Sequence, residues 1–201
     1  WCKQAELIFA RMPGWLRANQ LAAHAKAIPA LADALEQLKA VDTNRGLLND
    51  PDPVAPIATT ISNALRARLH KSHESHSGEV SIALKALNSD ASWKSLKPEQ
   101  QSAILMAHRI VLQNKPSADT AEELLESLSQ CTIDARENLA TVVRASVASA
   151  LTDAAKILKP AARSIKFAPI TLENESQVES WIADRKKQLL EEIKTGPVIL
   201  G

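Results

Sequence analysis

The stretch that decides the fold is PVAPIATTISNALRARLHKSHESHSGEVSIALKALN, residues 53–88. Apolar residues recur in its first half at steps of three or four, at Val54, Ile57, Ile61, Leu65 and Leu69. This spacing is typical of one face of an amphipathic helix. A second stripe follows at Val80, Ala83, Leu84 and Leu87. The stretch therefore predicts helix on both sides of a polar middle.

The polar middle, residues 70–79, has no apolar anchor and contains Gly78. Either one long helix has an exposed middle, or two helices meet near Gly78. A single glycine costs only about 1 kcal/mol inside a helix. We therefore favour one long helix, from the Pro53 region to the Leu87 region.

Helix signals also flank this stretch. Asp52 suits an N-cap with Pro53 at the first helical position. Upstream, Pro13-Gly14 predicts a break between a helix that ends near residue 11 and another at residues 15–28. Downstream, Asp90 or Ser92 is expected to cap a short turn, and further helices are expected from Pro98, from Thr120 and over residues 133–158, the last ended by Pro160.

The last forty residues differ from the rest. Residues 164–172 are extended in character, Asn174 with Gln177 predicts a capped helix, and residues 198–200 form a short apolar strand. The predicted buried face of the helix is Val178, Trp181, Ile182, Leu189 and Ile193. A connection of this length implies parallel strands. Such a pair leaves its edges exposed, and another strand or chain could complete it.

The predicted fold class is mainly α, a multi-helix array with long antiparallel helices and a small C-terminal β-α-β unit. We place a helical domain at residues 1–160 and the β-α-β unit, packed on it, at residues 161–201. The composition agrees, because apolar residues make up 45% of the chain, only 3% are aromatic and there are 5 glycines. An Ala- and Leu-rich sequence of this kind favours helix.

Composition also narrows the function. The net charge of +1 lacks the basic excess typical of nucleic-acid binders. No stretch reaches the roughly 20 apolar residues of a membrane span, and no signal peptide is recognisable, so we expect a cytoplasmic protein. Cys2 and Cys131 match no metal or redox spacing, and two buried thiols are favoured over a disulfide. Because the first residue is Trp1, we expect a piece of a longer protein.

Three histidines, His70, His73 and His76, form the most chemical-looking group. Zinc ligands on a helix sit three or four residues apart. Two successive steps of three nevertheless drift around the helix by about 120°. No cysteine or carboxylate pair nearby completes a ligand set. We predict a solvated polar face and no metal site.

Basic and acidic groups elsewhere have simple structural interpretations. Arg66, Arg68 and Lys71 beside the histidines could contact phosphate or an acidic partner, although a solvated face is favoured. The run at residues 185–187 reads as an exposed helix face. Asp50 and Asp52 read as turn and cap residues rather than an acid/base pair. No nucleophile, phosphate-loop or metalloprotease motif occurs, so the chain is predicted to have no catalytic residue and no cofactor site.

Several phrases, taken together in their order and spacing, resemble the C-terminal region of the large P-loop ATPases of bacterial BREX phage-defence systems (BrxC/PglY type). The resemblance spans nearly the whole chain. The phrases are RGLLNDPDPV at 45–54, LR at 65–66, WKSLKPEQQSAIL at 93–105, AKILKP at 155–160, TL at 171–172, VESW at 178–181 and GPVIL at 196–200.

The resemblance implies a much longer parent protein whose nucleotide-binding motor, with ATP and Mg²⁺, lies upstream of this chain. It also implies partners, among them a DNA methyltransferase and a phosphatase-like protein. The family's catalytic motifs have no counterpart here, so no catalytic residue is transferred. The chain would be the C-terminal scaffold of the ATPase.

Two functions follow as hypotheses. The first is an interaction module that docks the rest of the parent chain or another defence protein. Its candidate surface has two parts, the strand edge at Val198, Ile199 and Leu200 and a helix tip at Arg66, Arg68, His70 and Lys71. The second is a DNA-binding accessory module that uses the basic residues of that tip. A membrane partner is not expected.

Overall fold

The computed structural model describes residues 2–159 and 163–200. The chain is mainly helical, which confirms the predicted class. The helices are α1 (Cys2–Ala25), α2 (Ala32–Thr43), α3 (Val54–Ser89), α4 (Ala91–Lys94), α5 (Pro98–Ala107), α6 (Ala121–Gln130), α7 (Ile133–Leu158) and α8 (Glu175–Lys194). Short 3-10 turns lie at Pro29–Leu31 and Gly46–Leu48, and two short strands are β1 (Arg163–Ile165) and β2 (Val198–Leu200).

The central helix α3 is continuous over 36 residues. This confirms the prediction of one long helix. Gly78 lies within it, and a Cβ added there would meet no other atom. At the start of the helix, the Asp52 carboxylate accepts a hydrogen bond of 2.9 Å from the Val54 amide. Asp52 therefore caps the start of α3, as predicted.

The predicted break at Pro13-Gly14 is wrong, because α1 runs through Pro13 without interruption. Proline removes one backbone hydrogen bond from a helix and frees the carbonyl four residues before it. Here that residue is Phe9, whose side chain is 73% exposed, and Pro13 and Gly14 are also exposed. Water can solvate the freed carbonyl on this side, so the helix continues.

The chain forms two compact units, each with its own apolar core. The described residues of the first unit lie within 1–77 and 113–140, and those of the second within 78–112 and 141–201. The first core centres on Leu21, Leu38, Ile61, Leu65, Leu69, Leu124 and Leu128. The second centres on Val80, Leu87, Trp93, Ile104, Ile110, Val143 and Ala150. The predicted boundary and stop at residues 160–161 fall outside the described residues.

Within the second unit, α3 and α7 run in the same direction. Glu79 of α3 bonds Arg144, while Asp90, just beyond the end of α3, lines a groove with the later α7 residues 148–159. The prediction of long antiparallel helices is wrong for this pair. The cause is the length of the connection between the two helices, since only short loops force neighbouring helices to be antiparallel.

The C-terminal segment contains the two strands and α8. β1 pairs with β2 in parallel, in the register Arg163↔Val198 to Ile165↔Leu200. Asn174 caps α8 as predicted, since its side-chain oxygen accepts a hydrogen bond of 3.0 Å from the Gln177 amide. The predicted buried face of α8 is wrong, because none of its described side chains is buried.

Candidate functional site

The arginines of the predicted basic tip are tied to neighbouring backbone and carboxylates. Arg66 donates from Nε to the Ala118 carbonyl at 2.5 Å. Arg68 donates to both carboxylate oxygens of Glu137, at 2.8 and 3.0 Å, and lies 3.6 Å from Asp134. Both guanidinium groups therefore hold the first unit together. Sequence reasoning did not identify either role, because the partners lie 52 and 69 residues away.

The charges of this stretch are largely compensated. The hydrogen bond from Arg68 is the main cause that lowers the pKa of Glu137, and the charge of Lys71 adds to it. The same bond raises the pKa of Arg68. Lys71 is exposed and His70 is half-buried, in the middle of α3 rather than at a helix tip. The residues that were expected to form one exposed basic surface are thus mostly used internally.

His76 is buried, with only 3% of the residue exposed, so the interpretation of the histidines as a solvated face is wrong for this member. His70 and His73 are half-buried. Burial is the main cause that lowers the pKa of His76, and the charge of His73 lowers it further. Its Nδ1 is buried without a hydrogen-bond partner. Among the described residues, no group of three metal-ligating side chains is placed to hold a metal ion.

A second ion pair, also absent from the sequence prediction, lies in the second unit. Arg144 of α7 donates from Nε to Glu79 at 3.2 Å, and its terminal nitrogen contacts the same carboxylate. The hydrogen bond from Arg144 is the main cause that lowers the pKa of Glu79. The pair joins the parallel helices at their shared surface.

The predicted strand residues Val198, Ile199 and Leu200 line a groove beside α7. The cavity measures about 420 Å³. Its α7 wall carries small and apolar side chains, and polar groups complete the lining: Ala148, Leu151, Thr152, Ala155, Leu158 and Lys159, with Asp90 and Ser92 opposite. Of the other sequence-predicted candidates, Arg66 and Arg68 line smaller cavities in the first unit, of about 280 and 190 Å³.

The groove runs along the free edge of β2. Successive residues of a strand point to opposite faces of a sheet. All three consecutive residues of β2 nevertheless line this one groove, whereas Ile165, the β1 partner of Leu200, does not. This arrangement is the one expected at a strand edge. In the described part of the chain, β1 is the only strand paired with β2.

Helix α8 carries an exposed apolar stripe. Val178 is 37% exposed, Ile182 53%, Leu190 54% and Ile193 55%. We call these four residues the α8 stripe. The spacing is that of one helix face. Glu175, Glu179, Lys186 and Lys194 lie in the same helix and are exposed, so the surface around the stripe carries both signs of charge.

The face of α8 next to the stripe rests on an aromatic cluster. Phe167 and Trp181 meet edge to face, with ring centroids 6.3 Å apart. The Arg185 guanidinium lies 5.0 Å from the Phe167 centroid and 5.8 Å from that of Trp181. The sequence suggested that Arg185 belongs to a solvated basic run. This prediction is wrong for Arg185, which packs against the two rings. It attaches α8 to the segment after β1 through cation–π contacts.

Comparison of the chain with protein-family models, curated proteins and solved structures finds no match. In the described residues, no helix combines the length and apolar character needed to cross a membrane.

Proposed function

We propose that this chain is a non-catalytic interaction scaffold, and that it forms the C-terminal region of a cytoplasmic BREX-type defence ATPase. The family part of the proposal rests on the sequence phrases at residues 45–54, 93–105 and 196–200 and on the others in the same order. ATP and Mg²⁺ would bind upstream in the parent. β1, α8 and β2 would act together as a small β-α-β unit whose outer surface meets the parent's upstream region.

The single observation that supports docking is the α8 stripe. A helix in water normally turns its apolar side toward a core. The stripe instead exposes Ile182 and Ile193 by more than half of their surface. An apolar surface of this kind, surrounded by polar residues, is characteristic of protein contact sites.

The charges beside the stripe favour a protein partner. α8 carries both signs of charge along its length, in the order Glu175, Glu179, Lys186, Lys187, Glu191 and Lys194. A nucleic-acid phosphate backbone is negatively charged and binds best to a surface that carries only positive charges. A mixed surface is better matched to a protein that presents charges of both signs. The DNA-binding alternative has less support, because Arg66 and Arg68 already bond Ala118 and Glu137.

The test is association of the tagged chain with the separately produced upstream region of the parent. Ile182→Glu places a charge in the stripe and is expected to weaken association by about tenfold or more. Ile82→Glu is the matched control, since Ile82 is 61% exposed on α3 and lies outside the stripe. Equal binding by the two variants would remove the stripe as the contact surface. If the wild-type chain does not bind, the docking proposal fails.

The family assignment has its own test. ATP hydrolysis is measured for the full-length parent and for this chain side by side. We expect activity in the parent and none in the chain. An inactive parent would contradict the assignment to a motor protein. Hydrolysis by the chain itself would contradict the non-catalytic role.

A further inference from the structure

Among the described residues, β2 has β1 as its one strand partner, so its opposite edge is not paired with a strand. Val198, Ile199 and Leu200 line the groove along this edge, and none of the three is buried. A strand edge presents unpaired N–H and C=O groups at regular spacing. The partner that satisfies such groups in series is another extended backbone.

The groove has the size and lining of a ligand site. Its volume of about 420 Å³ falls within the range of roughly 300–1,000 Å³ that is typical of binding pockets. Leu151 and Leu158 provide apolar contact area, while the small side chains of Ala148 and Ala155 leave room beside the strand. Side chains that enter this space from an added strand would therefore be apolar.

The charge of Lys159 indicates which extended segments would fit the groove best. Lys159 lies at the end of α7 and lines the groove, and it has no ion pair among the described residues. Asp90 also lines the groove, but its carboxylate accepts a hydrogen bond of 2.9 Å from the Trp93 amide. Lys159 is the cationic side chain of the groove lining. It would attract an acidic group.

We infer that this groove binds an extended, mainly apolar peptide segment with an acidic residue at one end, which adds to β2 as a further strand. The inference rests on the proposed role as an interaction module and narrows it to one site and one class of ligand. The added strand would bond the β2 backbone, place alternate side chains against α7 and bring its carboxylate near Lys159.

The probe is a short fluorescent peptide of alternating valine and threonine with a terminal glutamate, and the readout is fluorescence anisotropy. Two isomers carry N-methyl groups on alternate amides, so that each isomer blocks one edge of the peptide. Strand addition uses only one edge. We expect one isomer to lose about tenfold or more in affinity and the other to stay within about threefold of the parent peptide.

The protein side has a matched pair of variants. Ala148 and Ala145 are both exposed on α7, but only Ala148 lines the groove. Ala148→Trp should fill the groove and weaken peptide binding by about tenfold, whereas Ala145→Trp should change it by less than about twofold. Circular dichroism confirms that both variants fold.

Three results would overturn the inference: no binding of the unmethylated peptide, equal losses for the two isomers, or equal losses for the two tryptophan variants. Failure here is distinguishable from failure of the proposed function. If the peptide does not bind while the upstream region still binds through the α8 stripe, only the groove is excluded. If the peptide binds and the upstream region does not, the groove stands and the α8 contact is excluded.

Discussion

Helices α3 and α8 carry similar apolar stripes in the sequence and use them differently in the structure. Ile61, Leu65 and Leu69 of α3 are fully buried, whereas Ile182 and Ile193 of α8 are more than half exposed. Periodicity defines which face of a helix is apolar. It does not tell whether the element that covers this face belongs to the same chain. The difference separates residues that stabilise the fold from residues available for a partner.

The largest expected loss of stability is at the buried stripe of α3. Leu65→Ala removes a fully buried side chain from the core of the first unit. We expect a loss of about 2–5 kcal/mol in the free energy of unfolding, because transfer and cavity terms add. Urea denaturation measures it. A loss below about 1 kcal/mol would show that α3 is no better packed than α8.

A smaller effect is expected at Trp181 of α8. From the sequence alone, a buried ring would predict a loss of about 3–5 kcal/mol on replacement by alanine. The ring is only half-buried, and its Nε1 is enclosed without a partner. Trp181→Ala should therefore cost about 1–2 kcal/mol, mainly from the contacts with Phe167 and Arg185. Thermal unfolding of the variant, compared with Leu65→Ala, checks this order.

The buried histidine of α3 predicts a dependence of stability on pH. The pKa of His76 is lowered from 6.5, first by burial. Its neutral form is therefore favoured in the fold, so its contribution is complete above the unfolded pKa and is lost as the pH falls through the lowered value. Melting temperatures between about pH 7.5 and pH 5 should fall less steeply for His76→Leu than for the wild type. His70→Leu is the control, and an equal flattening in both variants would contradict the assignment to His76.

The ion pair between Arg68 and Glu137 should contribute modestly to the free energy of unfolding. A double-mutant cycle with alanine at both positions is expected to give a coupling of about 0.2–1 kcal/mol, because both side chains remain partly exposed. The pKa of Glu137 is lowered from 4.5, so the coupling is present at neutral pH and is lost as the pH falls through the lowered value. A zero coupling at neutral pH would mean that the pair with Glu137 does not stabilise the fold.

The smallest expected effect concerns the α8 stripe. Ile182→Ala should change the free energy of unfolding by less than about 0.5 kcal/mol, because the side chain is already 53% exposed. Urea denaturation of this variant beside Leu65→Ala completes the comparison. A loss above about 1.5 kcal/mol would show that the stripe supports the fold of this chain and is not a free surface.

Local signals were the part of the fold that the sequence predicted well. Asp52, Asp90 and Asn174 act as caps because a cap depends on amides only two or three residues away. The continuity of α3 through Gly78 was also predictable, since one glycine costs little in a helix. The break at Pro13 was mispredicted because the cost of a proline depends on whether water reaches the freed carbonyl.

Long-range partners were the part that the sequence could not provide. Arg66 and Arg68 looked like an available basic patch until their bonds to Ala118 and Glu137 were located. The strand residues Val198–Leu200 were identified as an edge, but the groove beside them depends on α7, about fifty residues earlier in the chain. No periodic pattern encodes such a distance. The sequence therefore predicted the strand residues of the candidate site but not the α7 residues that form the other wall of the groove.

The parallel course of α3 and α7 has a consequence for the order of folding. Glu79 and Arg144 are separated by 65 residues along the chain, and Arg68 and Glu137 by 69. Neighbouring helices joined by a short loop meet as soon as the second one forms, but this pair must first close a long loop. Contacts of such high sequence separation slow folding relative to an up-and-down bundle of the same size. On a ribosome, the second half of α3, which carries Val80 and Leu87, would lack its contacts with α7 until α7 has been synthesised.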